Sequence, residues 1–239
     1  MGAFEVVQFK NDSDLARSAA EDWLRILGTD RQICAFSGGR IAARFFQEIA
    51  RQTKDADRPL DQVEFFFADE RCVPPDHSES NYHLMRENLI APLAIPDKRV
   101  HRIRGEDEPA TAADRAAEEL IQTEPKTSFG IPVLDFIFLG MGEDGHVASL
   151  FPNDKAITDR AIYRAVIAPK PPPQRITIGL PVILQSTNIR VLVSGAGKEK
   201  ALAESLDSKG DTPLARVIRG FRADSGSIVG RTLKVLVAR

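Results

Sequence analysis

The sequence predicts an α/β fold, a single domain with a mostly parallel, Rossmann-like sheet flanked by helices. Three observations predict it. Short apolar runs of strand length alternate with amphipathic segments of helix length almost throughout. Glycine turns follow several of the apolar runs. Nothing repeats at a fixed period and no linker or low-complexity stretch divides the 239 residues, so residues 1–239 are expected to form one unit.

The elements follow in order. Residues 4–9 read as the first strand. A helix over about 14–27 is apolar at Leu15, Ala19, Trp23 and Ile26 and ends at Gly28. Residues 33–36 make a second strand, and Ser37, Gly38 and Gly39 turn it into an amphipathic helix over about 41–52. The strand at 63–68 completes a βαβ unit. A loop with Pro74 and Pro75 leads to helices near 81–89 and 110–122. The apolar run 133–139 reads as a buried strand. Residues 162–167 and 176–178 read as strands separated by Pro171, Pro172 and Pro173. Residues 189–193 form another strand, and Gly195 and Gly197 precede a helix over about 198–206. Residues 217–239 mix turn and strand signals and carry no assignment.

Composition bounds the function. A net charge of −2 argues against a general nucleic-acid or anionic-membrane surface and leaves room for a local site for a small anion. Cys34 and Cys72 are the only cysteines, too few for a disulfide framework or a four-thiolate zinc site. The N-terminus lacks a basic leader with an apolar core, and no apolar stretch approaches the ~20 residues of a membrane span. A cytoplasmic protein is the expectation.

The most informative segment is GMGEDGHVASLFP, residues 140–152, directly after an apolar strand. Ligands of open parallel sheets bind outside the carboxyl ends of the strands, so His146 is a candidate base and Asp144, two residues away, can support it. Gly140, Gly142 and Gly145 also spell the dinucleotide fingerprint, but Pro152 and Asn153 interrupt the helix that this motif requires. The bland alternative is a tight turn with His146 filling space.

Three further strand ends carry polar chemistry. Ser37, Gly38, Gly39 and Arg40 run into a helix N-terminus, which either binds a phosphate or is simply capped by Ser37. Asp69, Glu70 and Arg71 follow an apolar run, with Ser80 and Asn81 nearby. Such charges are either a strand meeting water or an arginine fork for an anion. Gly195, Gly197 and Lys198 lack the first glycine and the Ser/Thr of a nucleotide phosphate loop, yet a lysine at a helix start can still hold a sugar phosphate. Arg175 is an anion ligand or an exposed strand-edge residue. His77, His83 and His101 show no metal-ligand spacing, so no metal and no cofactor are expected. No GxSxG elbow is present.

Taken together, SGG at residues 37–39, FADERCVP at 67–74, Ser80 with Asn81, GMGEDGHVASLFP at 140–152 and GAGK at 195–198 resemble the 6-phosphogluconolactonases, which are grouped with the glucosamine-6-phosphate isomerases/deaminases. The resemblance spans nearly the whole chain. It implies hydrolysis of 6-phosphoglucono-δ-lactone, with His146, Asp144, Arg71 and Asp69 as catalytic residues. It implies a phosphate site drawn from Ser37, Gly38, Gly39, Arg40, Asn81, Arg175 and Lys198. Asp69 is the rival to Asp144 as the partner of His146. Deaminases carry a glutamate in the stretch after Gly-His, where this chain has Ala148, Ser149, Leu150 and Phe151, and an aromatic where this chain has Arg71. One departure is that Arg40, Ile41 and Ala42 stand where the family often has Ser-Thr-Pro. The partner is then a small sugar-phosphate lactone, with no nucleic acid or membrane, and the chain acts as a monomer or homodimer. The alternatives are an aminosugar-phosphate isomerase/deaminase and a sugar-phosphate-binding regulator without turnover.

Overall fold

A computed structural model describes residues 3–56, 60–223 and 230–238. The chain runs β1 (Ala3–Phe9), α1 (Asp12–Ile26), β2 (Gln32–Phe36), α2 (Arg40–Asp55), β3 (Val63–Phe67) and β4 (Asp69–Arg71). It continues through α3 (Asn81–Met85), which passes into a π-helical turn at Arg86–Ile90, then β5 (Val100–His101), α4 (Pro109–Gln122) and a small hairpin, β6 (Thr127–Ser128) and β7 (Ile131–Pro132). The last part holds β8 (Phe136–Gly140), β9 (Tyr163–Ile167), β10 (Gln174–Ile178), α5 (Leu180–Gln185), β11 (Asn188–Val193), α6 (Glu199–Leu206), α7 (Pro213–Ala223) and β12 (Thr232–Ala238).

Among the described residues seven strands pair in the order β1-β12-β11-β8-β2-β3-β5, and every adjacent pair is parallel. From β2 the chain steps outward through β3 and β5, then returns to the other side of β2 with β8 and continues to β11 and β12. The direction of winding therefore reverses between β2 and β8. The loops leaving those two strands diverge there and open a crevice at the sheet's carboxyl edge.

Both faces of a parallel sheet are covered, so its strands are apolar almost throughout. Behind the crevice Phe36 of β2 and Phe138 of β8 stack at 5.2 Å, and Trp23 of α1 meets them edge-on at 5.6 and 5.8 Å. Helix α1 starts two residues earlier than the apolar pattern indicates, because the Asn11 side chain accepts the Asp14 amide at 2.9 Å and caps it. Ile26, expected on its buried face, is 39% exposed at the helix end.

One expectation needs correcting. Asp69–Arg71 is not a strand end running into a loop but a strand of its own, and it pairs antiparallel with β10. The strands on either side of the triple proline are β9 and β10, which form an antiparallel hairpin outside the main sheet, giving a three-stranded sheet β4-β10-β9. Their connection is too short for a parallel crossover, which takes a dozen or more residues. Residues 217–239, left unassigned from sequence, supply the end of α7 and all of β12, which sits between β1 and β11. Residues 224–229 and 239 lie outside the described residues.

Candidate active site

The crevice between β2 and β8 holds a cavity of about 210 Å³. Ser37, Gly38, Gly39, Arg40, Asp69, Arg71, Asn81, His146, Arg175 and Lys198 all line it. Of the catalytic and phosphate-binding residues that the resemblance implies, only Asp144 does not, and it is hydrogen-bonded to His146.

The loop after β8 is built to present His146. Met141 pairs with Val147 across a narrow antiparallel bridge, and the Gly142 amide donates to the His146 carbonyl at 2.9 Å. A Cβ on Gly142 would lie 2.0 Å from the His146 ring, so only glycine leaves the ring its place. Gly145 turns the chain at a φ of +78°. No helix opens here, and the dinucleotide reading has no structural counterpart. His146 Nδ1 lies 2.5 Å from Asp144 Oδ1, while Nε2, on a residue that lines the cavity, has no hydrogen-bond partner among the described residues. Burial alone would raise the Asp144 carboxyl, but the hydrogen bond and charge of His146 hold it down at about 2. Asp144 is thus an anion throughout the neutral range, and Nδ1 carries the proton it accepts.

The other sequence candidate for the histidine's partner, Asp69, is used differently. Its Oδ2 accepts from the Ser149 hydroxyl at 2.8 Å, and no hydrogen bond joins it to His146. Alternation along β4 sends Asp69 and Arg71 to the cleft and Glu70 to the opposite face. There Glu70 is 2% exposed and accepts the amides of Asn81, Tyr82 and Arg71 and the Ser80 hydroxyl. Burial pushes its carboxyl up to about 7 against those four hydrogen bonds. Glu70 thereby anchors the start of α3 and sets Asn81 over Gly38. A Cβ on Gly38 would meet Asn81 Oδ1 at 1.9 Å, so glycine is required at this approach.

Helix α2 begins at Gly39, at a φ of +106°, without a side-chain cap. Ser37 does not cap it, and its buried hydroxyl has no hydrogen-bond partner among the described residues. The first turn of this sixteen-residue helix thus has no side-chain cap beside Arg40, although the Ala42 amide donates to the Gly39 carbonyl at 3.1 Å. Lys198 comes from the turn after β11. Burial, then the charge of Arg40, lowers its proton affinity, partly offset by Glu143.

Arg175 is 2% exposed. Its strand β10 lies between β4 and β9, so the reading of an exposed edge residue does not hold. Sequence reasoning missed Lys170, Glu143 and Ser149. Lys170 and Glu143 line the cavity, and Ser149 is fully buried. Lys170 stands immediately before the triple proline, and that position was its one available signal. The cavity wall carries five cationic side chains, Arg40, Arg71, Lys170, Arg175 and Lys198, against two acids, Asp69 and Glu143. In a chain of net charge −2 this concentration of positive charge gives the cavity a local electrostatic preference for anions. The remaining histidines lie elsewhere: His101, for example, stacks on Phe66 and bonds Glu64. Both cysteines are unpaired.

No helix among the described residues is long and apolar enough to cross a membrane.

Known proteins resemble this chain in sequence and in fold. The sequence profile described as glucosamine-6-phosphate isomerases/6-phosphogluconolactonase matches residues 10–225. The chain is 37% identical over 181 residues to a 6-phosphogluconolactonase of Homo sapiens, covering 74% of this chain and 69% of that one. The solved 6-phosphogluconolactonase of Trypanosoma brucei superposes with a TM-score of 0.82 at 26% identity, over 99% of this chain and 96% of that one. A monomeric glucosamine-6-phosphate deaminase shares the fold at a TM-score of 0.80 and 16% identity, over 98% and 97% of the two chains. The chain belongs to the glucosamine-6-phosphate isomerase/6-phosphogluconolactonase family.

Proposed function

We propose that the protein is a 6-phosphogluconolactonase, acting through residues 1–239 as one domain. In this reading it hydrolyses 6-phosphoglucono-1,5-lactone to 6-phosphogluconate in the oxidative pentose phosphate pathway of the cytoplasm. The observation that carries the reading is His146, tied to ionised Asp144 through Nδ1 with Nε2 free, on the wall of a cleft rich in cations.

His146 Nε2 takes a proton from water as the water oxygen attacks the lactone carbonyl carbon. The tetrahedral oxyanion collapses, the bond from that carbon to the ring oxygen breaks, and the imidazolium returns its proton to the departing oxygen. Asp144 fixes the tautomer and stabilises the imidazolium. The phosphate sits at the N-terminus of α2, which no side chain caps, with Arg40 and Lys198, where a helix terminus and two cations act together. All of these groups come from one chain, so either a monomer or a homodimer carries the activity.

The deaminase alternative lacks its glutamate. In the stretch after Gly-His, Leu150 is fully buried and the Ser149 hydroxyl is engaged by Asp69. A regulator without turnover would need the cations but not the His146–Asp144 pair. The test is an assay of the purified chain for acid release from the phosphorylated lactone, beside an assay for ammonia release from glucosamine 6-phosphate. Lactone opening without ammonia supports the reading, and ammonia release without lactone opening overturns it.

A further inference from the structure

Glu70 is a buried carboxylate that the proposed chemistry does not use. It is 2% exposed, and its cross-strand partner on β10, Ile176, is fully buried, so the side chain leaves β4 on the face turned away from the cleft. Its Oε1 accepts the amides of Asn81 and Arg71 at 2.8 and 2.7 Å, and its Oε2 accepts the Tyr82 amide and the Ser80 hydroxyl at 2.8 and 3.0 Å. The Ser80 oxygen in turn accepts the His83 amide at 3.1 Å. The amides of Asn81, Tyr82 and His83, which the helix cannot satisfy by itself, therefore all find acceptors in this carboxylate and the hydroxyl it fixes.

Both carboxylate oxygens receive only donors, an arrangement that suits the ionised form. A proton on either oxygen would face an N–H or O–H and displace it. Among the described residues no cation forms an ion pair with Glu70. The charged and titratable residues next to it are Arg71 and Cys72 on its own segment, Arg175 on β10, and Tyr82 and His83 on α3. Burial raises the carboxyl to about 7, so its charge is lost as the pH falls through neutrality rather than in the usual carboxylate range.

What Glu70 holds reaches the cleft. Asn81 is 3% exposed and lines the cavity, and its Nδ2 donates to the Asp69 carbonyl at 2.8 Å. Its Oδ1 lies so close to Gly38 that no Cβ fits there. One side chain thus spans two walls, β4 and the turn after β2, while its backbone is fixed from behind. We propose that Glu70 is a positioning residue of the reaction: its ionised carboxylate sets Asn81 between Asp69 and Gly38 and so fixes the spacing of the walls that grip the phosphorylated lactone. This assignment rests on the lactonase reading.

The test is a double-mutant cycle of Glu70→Gln and Asn81→Ala on 6-phosphogluconolactone. Glutamine keeps the size but puts a donor where a donor must be accepted. Glu70→Gln should lower kcat/KM on the order of tenfold, mostly through KM, because His146 and Asp144 stand on a different loop. In the Asn81→Ala background the same substitution should cost almost nothing further. Fully additive losses would show that Glu70 supports the fold without acting through Asn81, and would overturn the proposal. Nuclear magnetic resonance of the isotope-labelled wild type needs neither variant nor lactone. Between about pH 5 and pH 8.5 the backbone amides of Arg71, Asn81 and Tyr82 and the side-chain amide of Asn81 should titrate together, with one midpoint near neutrality. Signals that stay fixed throughout, or an Asn81 side chain that does not follow the backbone amides, overturn the proposal even if Glu70→Gln does not fold. Absence of lactone turnover by the wild type would instead refute the lactonase reading, while the titration still reports on the tie between Glu70 and Asn81.

Discussion

His146 and Asp144 are joined twice: Asp144 Oδ1 takes the imidazole Nδ1 at 2.5 Å and the His146 backbone amide at 3.2 Å. Two contacts from one oxygen fix both the ring and the main chain that carries it, so Asp144 orients the imidazole rather than merely neighbouring it. Asp144→Asn keeps the shape but removes the charge that holds the Nδ1 proton. We expect kcat to fall at least about 10-fold, by less than the ~10²–10⁴-fold that loss of the base itself forfeits, with little change in KM. Steady-state kinetics of the folded variant check this, and a change in KM alone would contradict it.

The same pair predicts a pH dependence of stability. The Asp144 carboxyl is held at about 2, below the roughly 3.9 of an unfolded aspartate. A depressed carboxyl contributes stability that is fully present above its unfolded pKa and is lost as the pH falls through the folded one. The difference in urea midpoint between wild type and Asp144→Asn should therefore be the same at about pH 7 and pH 5 and smaller at about pH 3. A difference that grows on acidification would contradict the sign. Asp144 is partly exposed, so the effect is reduced by solvent screening.

Lys198 is assigned to the phosphate, away from the reacting carbonyl. Lys198→Ala should lower kcat/KM for the phosphorylated lactone by about 10-fold or more, as loss of a charged hydrogen bond of ~1.5–3 kcal/mol implies, and leave plain gluconolactone almost unaffected. Equal losses on both lactones would show that Lys198 acts on the fold or the carbonyl instead.

His77, His83 and His101 lack ligand spacing around His146, and the proposed chemistry is carried by side chains alone. Prolonged chelation followed by desalting should leave the rate of lactone opening unchanged. A loss restored by one divalent ion would overturn a metal-independent mechanism.

The parallel sheet and its helices were legible because buried parallel strands are continuous apolar runs, and residues 33–36, 63–68 and 189–193 announce themselves by composition. The GMGEDGHVASLFP motif pointed to His146 because its glycines mark close approach, which the ring packed on Gly142 explains. Pairing between distant segments was not legible. Nothing local in Asp69, Glu70 and Arg71 says that they form a strand, since the partner that makes them one lies about a hundred residues away in β10. For the same reason sequence leaves Arg175 open between an anion ligand and an edge residue when its strand is in fact central, and the burial of Glu70 beneath α3 depends on contacts that no window of sequence contains. β12 escaped assignment because its order depends on insertion between β1 and β11.

The central claim is that His146 activates water against a phosphorylated lactone. Its most direct measurement is the rate of lactone opening, above the spontaneous rate, by the wild type and by His146→Ala side by side, with circular dichroism to show that both are folded. The account predicts clear acceleration by the wild type and a loss on the order of 10²–10⁴-fold in the variant. A folded His146→Ala protein that opens the lactone at the wild-type rate would contradict it.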